Sequence, residues 1–323
     1  MRPLRLLPPI RLIPPIRLIP DDTRIDFMRW RFLAFAFTLL LTLAAVASLA
    51  IQGLNLGIDF QGGILVEARS AAPPDLAGLR SDLGKLGLGE VSLQEFGDAN
   101  ELLIRVQEQA GGTPAQAQAI TKIKDVLGSD VEIRRTEFIG PQVSRELLTN
   151  GVLAAVLAVV FIAIYVWFRF EWQFGVAALI TTFHDVIATF GLFSLLQLEF
   201  NLTVVAAILT IAGYSINDTV VVFDRIREDL RRYKTLPMGA LINHSINSTL
   251  SRTILTGGTT LLAALALLFF GGPVLFGFSA AMVFGVLIGT YSSVFVAATM
   301  LLHLRPLRAG RAASEAAEKA AAE

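Results

Sequence analysis

Two aspartates and one arginine lie inside or at the head of long apolar stretches, and these residue types are the ones best suited to chemistry here. Asp218 lies in the stretch Ile211–Phe223, Asp185 lies in a second apolar segment, and Arg252 opens a third. A carboxylate at membrane depth costs about 2.5–3.5 kcal/mol on insertion scales, so it usually faces a partner or a water-filled path. The three residues therefore predict a pathway for protons or ions. A structural ion pair between Asp218 and Arg252 is the alternative.

Helical spacing places other polar side chains beside these residues. Ser215 shares a face with Asp218, and a polar face of this kind should point into a helix bundle. Asp218 and Arg252 flank the loop 224–252 at similar depth, so an ion pair between them would keep Asp218 charged. His184 adjoins Asp185 and could extend a proton relay, but a structural role is the interpretation that we favour for it. For Asp185 the alternative is a hydrogen bond that only packs the helix. The same faces include Ile211, Tyr214 and Val222 around Asp218, Thr256, Thr259 and Thr260 after Arg252, and Thr181 and Thr189 around Asp185.

Composition favours an integral membrane protein with one water-facing domain, because 54% of the 323 residues are hydrophobic. The chain has no cysteine, which excludes disulfides and thiolate metal sites. Its 27 basic and 27 acidic residues balance, so bulk charge indicates no nucleic-acid partner. With three histidines and no paired-histidine motif, we expect no metal site, no other cofactor and no enzymatic centre.

Six apolar stretches are long enough to cross about 30 Å of hydrocarbon as helices. They cover residues 32–51, 150–168, 175–197, 201–223, 253–271 and 274–303. Arginine and lysine cluster in the N-terminal tail, in the 224–252 loop and from residue 305 onward, and the positive-inside rule makes that side cytoplasmic. The predicted organisation is a Pro/Arg-rich cytoplasmic tail (1–31), a first transmembrane helix (32–54), an extracytoplasmic domain (55–146), transmembrane helices two to six (147–305) and a second cytoplasmic tail (306–323).

The extracytoplasmic region alternates between strand and helix patterns. Strands are predicted at 63–69, 91–96, 102–107 and 131–138, and helices at 75–86 and 113–127. The order β-α-β-β-α-β is the ferredoxin-like arrangement. The predicted fold class is thus an α-helical membrane protein with six transmembrane helices and one ferredoxin-like α+β domain between helices one and two. This domain fold carries many functions, so we interpret it as a binding or docking module.

Glycine is prominent in two segments. The sixth apolar stretch carries a small residue at every fourth position, which permits close approach of another helix from this chain or from a partner subunit. These residues are Gly277, Ala281, Gly285, Gly289 and Ser293. After the first stretch, the run Asp59-Phe60-Gln61-Gly62-Gly63 predicts either a tight exit from the membrane or a hinge for the outer domain.

Four sequence blocks together resemble the SecF family, subunits of the SecDF protein-export complex in the RND superfamily. The blocks are Gly57-Ile-Asp-Phe-Gln-Gly-Gly63, Gly140-Pro-Gln-Val-Ser-Arg-Glu-Leu147, Gly213-Tyr-Ser-Ile-Asn-Asp-Thr-Val-Val-Val-Phe-Asp-Arg-Ile-Arg-Glu228 and Asn247-Ser-Thr-Leu-Ser-Arg-Thr253. The resemblance covers about residues 24–305, and it rests most on Asp59, Phe60, Gly62, Gly63, Ser215 and Asn217.

The resemblance implies a multi-pass subunit of the bacterial cytoplasmic (inner) membrane with both termini cytoplasmic. It implies pairing with a SecD-like subunit beside the SecYEG translocon, contact with the translocating preprotein and with membrane lipid, and use of the proton-motive force. In this family an aspartate in the fourth span and an arginine at the head of the fifth are associated with proton passage. They match Asp218 and Arg252.

Three rival functions differ from that expectation. An RND-type exporter of lipid or small molecules generally carries two six-span halves on one chain, whereas this chain has one. An intramembrane aspartyl protease would need Asp185 and Asp218 as a dyad, but its Gly-x-Gly-Asp block is missing, since Ser-Ile-Asn precedes Asp218. A non-conducting scaffold of the translocon is the third rival, because buried charges also serve structure.

Overall fold

The computed structural model describes residues 19–20, 23–71, 74–89, 91–96, 98–109, 111–128 and 131–304. Most of the predicted N-terminal tail and all of the predicted tail at 306–323 lie outside these residues. In chain order the elements are a 3₁₀ turn (Phe27–Trp30), α1 (Arg31–Gln52), β1 (Asn55–Leu56), α2 (Ile58–Gln61), β2 (Gly63–Ser70), α3 (Leu76–Gly84), β3 (Val91–Phe96), β4 (Asp98–Val106), α4 (Gly112–Leu127), β5 (Val131–Ile139), α5 (Pro141–Arg169), α6 (Trp172–Leu196), β6 (Glu199–Phe200), α7 (Leu202–Arg232), α8 (Met238–Phe270), α9 (Gly272–Ser292), a π-helical turn (Ser293–Ala297) and α10 (Ala298–Met300).

Six helices of the described chain are long and apolar enough to cross a membrane, which confirms the predicted number of spans. Their ends differ from the prediction where a helix continues as a polar extension. α5 begins at Pro141, before the predicted boundary at 147, because proline is favoured in the first helical turn after Gly140. α7 likewise runs on to Arg232, and α8 begins at Met238. An apolar run indicates only the part of a helix that lies in hydrocarbon. The polar turns beyond each run were therefore not predicted as helix.

The domain between the first two spans has the predicted ferredoxin-like fold. Its sheet has the order β3-β4-β2-β5, in which every neighbouring pair is antiparallel. Alternate residues of the strands, including Ile64 and Ile104, pack against Leu83 of α3 and Ile123 of α4, and all four side chains are fully buried. The opposite face of the sheet, with Leu65, Glu67 and Leu103, lines a cavity of about 1100 Å³ above the ends of the membrane helices.

The six spans differ strongly in burial. In α6 and α7 about half of the most apolar 18-residue window is buried (56% and 50%), against 6% in α5 and 17% in both α1 and α8. The bundle therefore has α6, α7 and α9 at its centre, while α5 lies on its outside.

Two apolar clusters occupy different levels of the bundle. The outer layer, towards the ferredoxin-like domain, includes Phe193, Phe200, Val204 and Ala264. The inner layer, at the opposite end, is built around large side chains such as Phe170, Phe174 and Phe223, with Phe27 from the segment before α1. A group of buried polar residues, including Asp185 of α6 and Asp218 of α7, lies between these two layers.

Candidate functional site

Asp185 joins three membrane helices and is fully buried. On α6 itself its Oδ1 lies 2.9 Å from Nδ1 of His184. Its Oδ2 accepts hydrogen bonds from Ser215 of α7 at 2.5 Å and from Ser292 of α9 at 2.7 Å. Both carboxylate oxygens are thus engaged, and removing this side chain would leave buried polar groups on three helices without their partner.

Asp218 lies nearby on α7, is 5% exposed and has fewer partners. Its Oδ1 accepts a hydrogen bond from Thr253 of α8 at 2.8 Å. Ser293 adjoins the carboxylate, and its hydroxyl lies 2.9 Å from that of Thr219. Oδ2 of Asp218 is buried and has no hydrogen-bond partner among the described residues. A buried acceptor of this kind is costly when charged and can receive a proton without losing a bond.

The expected ion pair between Asp218 and Arg252 is not present in the described chain, because Arg252 is exposed and its charge acts on Asp218 only at longer range. Successive residues of an α-helix point about 100° apart, so only one of two neighbours on α8 faces α7. That neighbour is Thr253, which sequence reasoning missed. Its only signal was its place beside Arg252 in the Asn247–Thr253 block.

We call the buried polar group at this level the polar belt. It consists of His184, Asp185, Ser215, Asp218, Thr219, Thr253, Ser292 and Ser293. Two consecutive serines of the polar belt contact the two carboxylates. Ser292 donates a hydrogen bond to Asp185, and Ser293 adjoins Asp218. Ser293 is also the first residue of the π-helical turn, a rare geometry that is frequently found at functional sites. No single residue pattern predicted this turn.

The small residues of the sixth span lie against α7. A methyl group added at Gly277 would lie 3.1 Å from Val204, and one added at Gly289 would lie 3.4 Å from Ser215. At Gly285 the added carbon would overlap the side chain of Ile211. This strip therefore brings α9 close to α7 within the chain, which carries Ser292 and Ser293 to the two carboxylates.

Residues 55–61 contact the outer end of α7, and we call this segment the clasp. β1 pairs in parallel with β6, and Oδ2 of Asp59 accepts a hydrogen bond from the backbone N–H of Leu202, the first residue of α7, at 2.8 Å. The rings of Phe60 and Phe200 lie 5.9 Å apart. A carboxylate at a helix N-terminus satisfies a free N–H group and complements the helix dipole.

The two glycines that follow connect the clasp to the sheet. Gly62 and Gly63 have φ of +72° and +120°, and a side chain at Gly63 would place its first carbon 2.5 Å from the carbonyl oxygen of Val106. Arg105 of β4 completes the junction with an ion pair to Glu199 of β6 at 2.9 Å and a hydrogen bond to Asn55 at 3.1 Å. The outer domain is therefore joined directly to α7. Neither Arg105 nor Glu199 was predicted, and the only signal for Glu199 was a charged residue in a very short loop between two spans.

Asn217 lies on the opposite face of α7 from the belt and is exposed. The same exposed face carries Thr203, Ala206, Thr210 and Gly213, spaced by three or four residues. Arg252 is exposed at the level of Asp218, whose carboxylate bonds the adjacent Thr253. We call these six residues the polar outer face. Within the described chain, no three His, Asp or Glu side chains are placed to hold a metal ion together.

Comparison with known families and proteins agrees with the sequence resemblance. The family described as "Protein export membrane protein SecD/SecF, C-terminal" matches residues 118–306, and the "SecD/SecF GG Motif" matches residues 47–73, which include the clasp. A "Protein translocase subunit SecF" of Rickettsia rickettsii (strain Sheila Smith) is 45% identical over 306 residues, which are 93% of this chain and 94% of the relative. The protein of the same description from Vibrio alginolyticus is 43% identical over 282 residues, 87% of this chain and 90% of that one.

Solved structures show the same fold in a longer protein. The crystal structure of SecDF, a translocon-associated membrane protein from Thermus thermophilus, matches with a TM-score of 0.80 and 38% identity over 88% of this chain. SecDF in a super-membrane-facing form matches with a TM-score of 0.64 and 35% identity over 91% of this chain. This chain spans 39% and 40% of those two proteins. The predicted resemblance is confirmed, and the chain belongs to the SecD/SecF family of protein-export membrane proteins.

Proposed function

We propose that this chain is a SecF-type subunit that uses the proton-motive force to promote preprotein export, together with a SecD-like subunit and the SecYEG translocon. The observation that carries the proposal is the buried Asp218, whose Oδ2 has no hydrogen-bond partner among the described residues. A group that exchanges protons needs an acceptor that is shielded from water and yet not committed to another donor. Asp218 meets both conditions.

The apolar layers on either side of the polar belt support coupled rather than free proton passage. Phe193 and Phe200 belong to the outer layer, and Phe174 and Phe223 belong to the inner one. We expect a proton to reach Asp218 only when one layer opens, because large apolar side chains such as Phe193 and Phe223 lie on both sides of the belt. Alternating opening of the two layers would then link each proton to one conformational cycle.

The clasp supplies the route from the belt to the outer domain. α7 carries Asp218 in its middle, while Asp59 and β1 hold its outer end. A shift or rotation of α7 on protonation is therefore transmitted to β6, to Arg105 and to the sheet. The preprotein would meet the outer domain, whose open sheet face lines the cavity of about 1100 Å³.

The polar outer face supports a partner helix. Asn217 and Arg252 are exposed at a depth where lipid contact with amide and guanidinium groups is unfavourable. Small residues such as Ala206 and Gly213 allow a second helix to approach closely. We assign this face to the SecD-like subunit, and Arg252 then acts at the boundary between the two subunits, where its charge tunes proton uptake at Asp218.

We propose that both termini lie in the cytoplasm and that the ferredoxin-like domain lies outside a bacterial inner membrane, because basic residues cluster in the tails and in the 224–252 loop. Single cysteines introduced into this cysteine-free chain would report it in intact cells. An impermeant thiol reagent should label position 98 and spare position 238. The reverse pattern would contradict the orientation.

Reconstituted vesicles test the function itself. They would hold the translocon and the SecD-like subunit, with or without this chain, and export of a preprotein would be measured with and without an imposed proton gradient. We expect the gradient to stimulate export only when the chain is present. Equal stimulation by the chain without any gradient would instead favour the non-conducting scaffold.

A further inference from the structure

A second cavity, of about 470 Å³, opens at the end of the bundle opposite the clasp, between the end of α5 and the polar extension of α7. None of its residues belongs to the polar belt, the clasp or the polar outer face. It is lined by Arg169, Asp224, Arg227, Glu228, Arg231 and Arg232. Four arginines against two acids leave this cavity with excess positive charge.

The two acids of the cavity are engaged by Arg169 and by Arg225, so neither is paired with the other three arginines of the cavity. Arg169 donates to both carboxylate oxygens of Asp224, at 2.6 and 2.7 Å. Glu228 accepts a hydrogen bond from Arg225 at 2.9 Å. No ion pair joins Arg227, Arg231 or Arg232 to an acid within the described residues, and Nε of Arg227 is buried there without a hydrogen-bond partner.

The position of the cavity indicates the depth of its ligand. The apolar runs of α5 and α7 end at Phe168 and Phe223, and Arg169 and Asp224 follow directly in the sequence. The cavity therefore begins where hydrocarbon gives way to lipid headgroups. Trp167 and Trp172 lie on either side of Arg169 in the sequence and are exposed, and tryptophan at this level is typical of a membrane interface.

We propose that this cavity binds the phosphate of an anionic phospholipid, whose acyl chains lie along α5. Arginine suits this ligand because its planar guanidinium donates two hydrogen bonds to one phosphate. Only 6% of the apolar window of α5 is buried, so the helix offers a long surface to the chains. A zwitterionic lipid carries its own cation and would neutralise the three arginines poorly. The site is separate from the polar belt, so the proposal does not depend on proton exchange.

Native mass spectrometry of the purified full chain tests the proposal by counting bound lipids. Phosphatidylglycerol and phosphatidylcholine of equal chain length would be titrated separately, with inorganic phosphate as a competitor. We expect tighter binding of phosphatidylglycerol, and we expect the affinity to fall about fivefold for each of Arg231→Gln and Arg232→Gln. Both side chains are exposed, so these changes should leave the melting temperature unaltered.

Two control variants make the result specific. Arg231→Lys with Arg232→Lys keeps the charge and should retain most of the preference. Arg145→Gln removes an exposed arginine near the opposite end of α5 and should have no effect. An unchanged preference for phosphatidylglycerol in the double glutamine variant would overturn the proposal. Displacement of the lipid by inorganic phosphate, with the same dependence on arginine, would show a site for soluble anions instead.

Discussion

The two buried aspartates of the bundle differ in how completely their oxygens are satisfied. Asp185 has partners on both oxygens, with Ser215 and Ser292 sharing one of them. Asp218 accepts from Thr253 on one oxygen, and within the described chain its other oxygen has no hydrogen-bond partner. A fully engaged carboxylate holds helices together, because any change in its charge disturbs several bonds at once. Burial alone therefore does not distinguish the two carboxylates; the number of hydrogen bonds that each oxygen accepts does.

The helices that supply partners to the two aspartates also differ, in how much of each helix is buried. Asp185 is held by α6, α7 and α9, the central helices, whereas the partner of Asp218 comes from α8, of whose apolar window only 17% is buried. A helix with few buried contacts is displaced at lower cost than a central one. We therefore expect the bond between Thr253 and Asp218 to break at lower cost than the bonds of Asp185.

The largest expected effect comes from Asp218→Asn, which keeps the shape of the side chain and removes its titration. Stimulation of export by a proton gradient should be abolished in vesicles that hold the translocon and the SecD-like subunit, while folding and subunit binding survive. Co-purification of the partner and an unchanged melting temperature are the controls. If a proton gradient stimulated export fully in the presence of the variant, Asp218 would not be the proton-exchanging residue.

Asp185→Ala should instead damage folding, because it leaves His184, Ser215 and Ser292 without their acceptor. Each buried polar group deprived of its partner costs about 1–3 kcal/mol, so a loss of at least about 2–3 kcal/mol is expected. Denaturant unfolding in detergent measures it beside Asp218→Asn, the matched variant. Equal stability of the two variants would erase the distinction between a structural and an exchanging carboxylate.

Gly285→Val tests the contact between α9 and α7, which brings serines of the sixth span to both aspartates. Even the first added carbon overlaps Ile211, and overpacking of this kind costs typically about 1–3 kcal/mol. The variant should melt earlier and should weaken proton-driven export. Gly258→Ala is the matched control, because nothing lies within 4 Å of its added carbon. Similar melting of both variants would mean that the glycine strip does not set the distance between α9 and α7.

The smallest effect is expected at Glu67, a partly buried carboxylate of the outer domain. Burial raises the pKa of this group, Glu137 raises it further, and Arg135 lowers it, with a net upward shift. Because the pKa is higher in the folded chain, protonation favours folding, and stability falls as the pH rises through the interval above the ordinary glutamate value.

Glu67→Gln should remove this pH-dependent loss of stability. The variant should be slightly more stable than the unaltered chain at neutral pH, and the difference should close in acid. Thermal melting across a pH series measures it. Parallel pH profiles of the two proteins would contradict the shift at Glu67.

Sequence reasoning found the elements because their causes are local. Apolar runs located all six spans, and alternation of apolar residues located the strands of the outer domain to within a few residues, as at Val91–Phe96. Helical spacing also placed Ser215 and Asp218 on one buried face. These features depend on neighbours along the chain, which a sequence displays directly.

The partners of each site residue depend instead on how helices rotate against one another. Arg252 and Thr253 are adjacent in sequence, and charge favoured the arginine, but the packing of α8 turned the threonine towards Asp218. The clasp is a similar case. Asp59 reaches Leu202 across many intervening residues, and two-residue strands such as β1 and β6 are too short to leave a pattern. Contacts of this kind follow from tertiary structure alone.

The π-helical turn has a consequence for insertions and deletions in the sixth span. A π turn accommodates one residue more than an α turn, so it shifts the phase of everything that follows it by about 100°. Ala298 and Leu301 follow the turn and are buried, so their facing depends on this extra residue. Loss of one residue between 293 and 297 would therefore rotate the end of the helix more than it would shorten it. In an alignment, a single gap at this point would indicate that the end of the sixth span is rotated about its axis, with little change in its length.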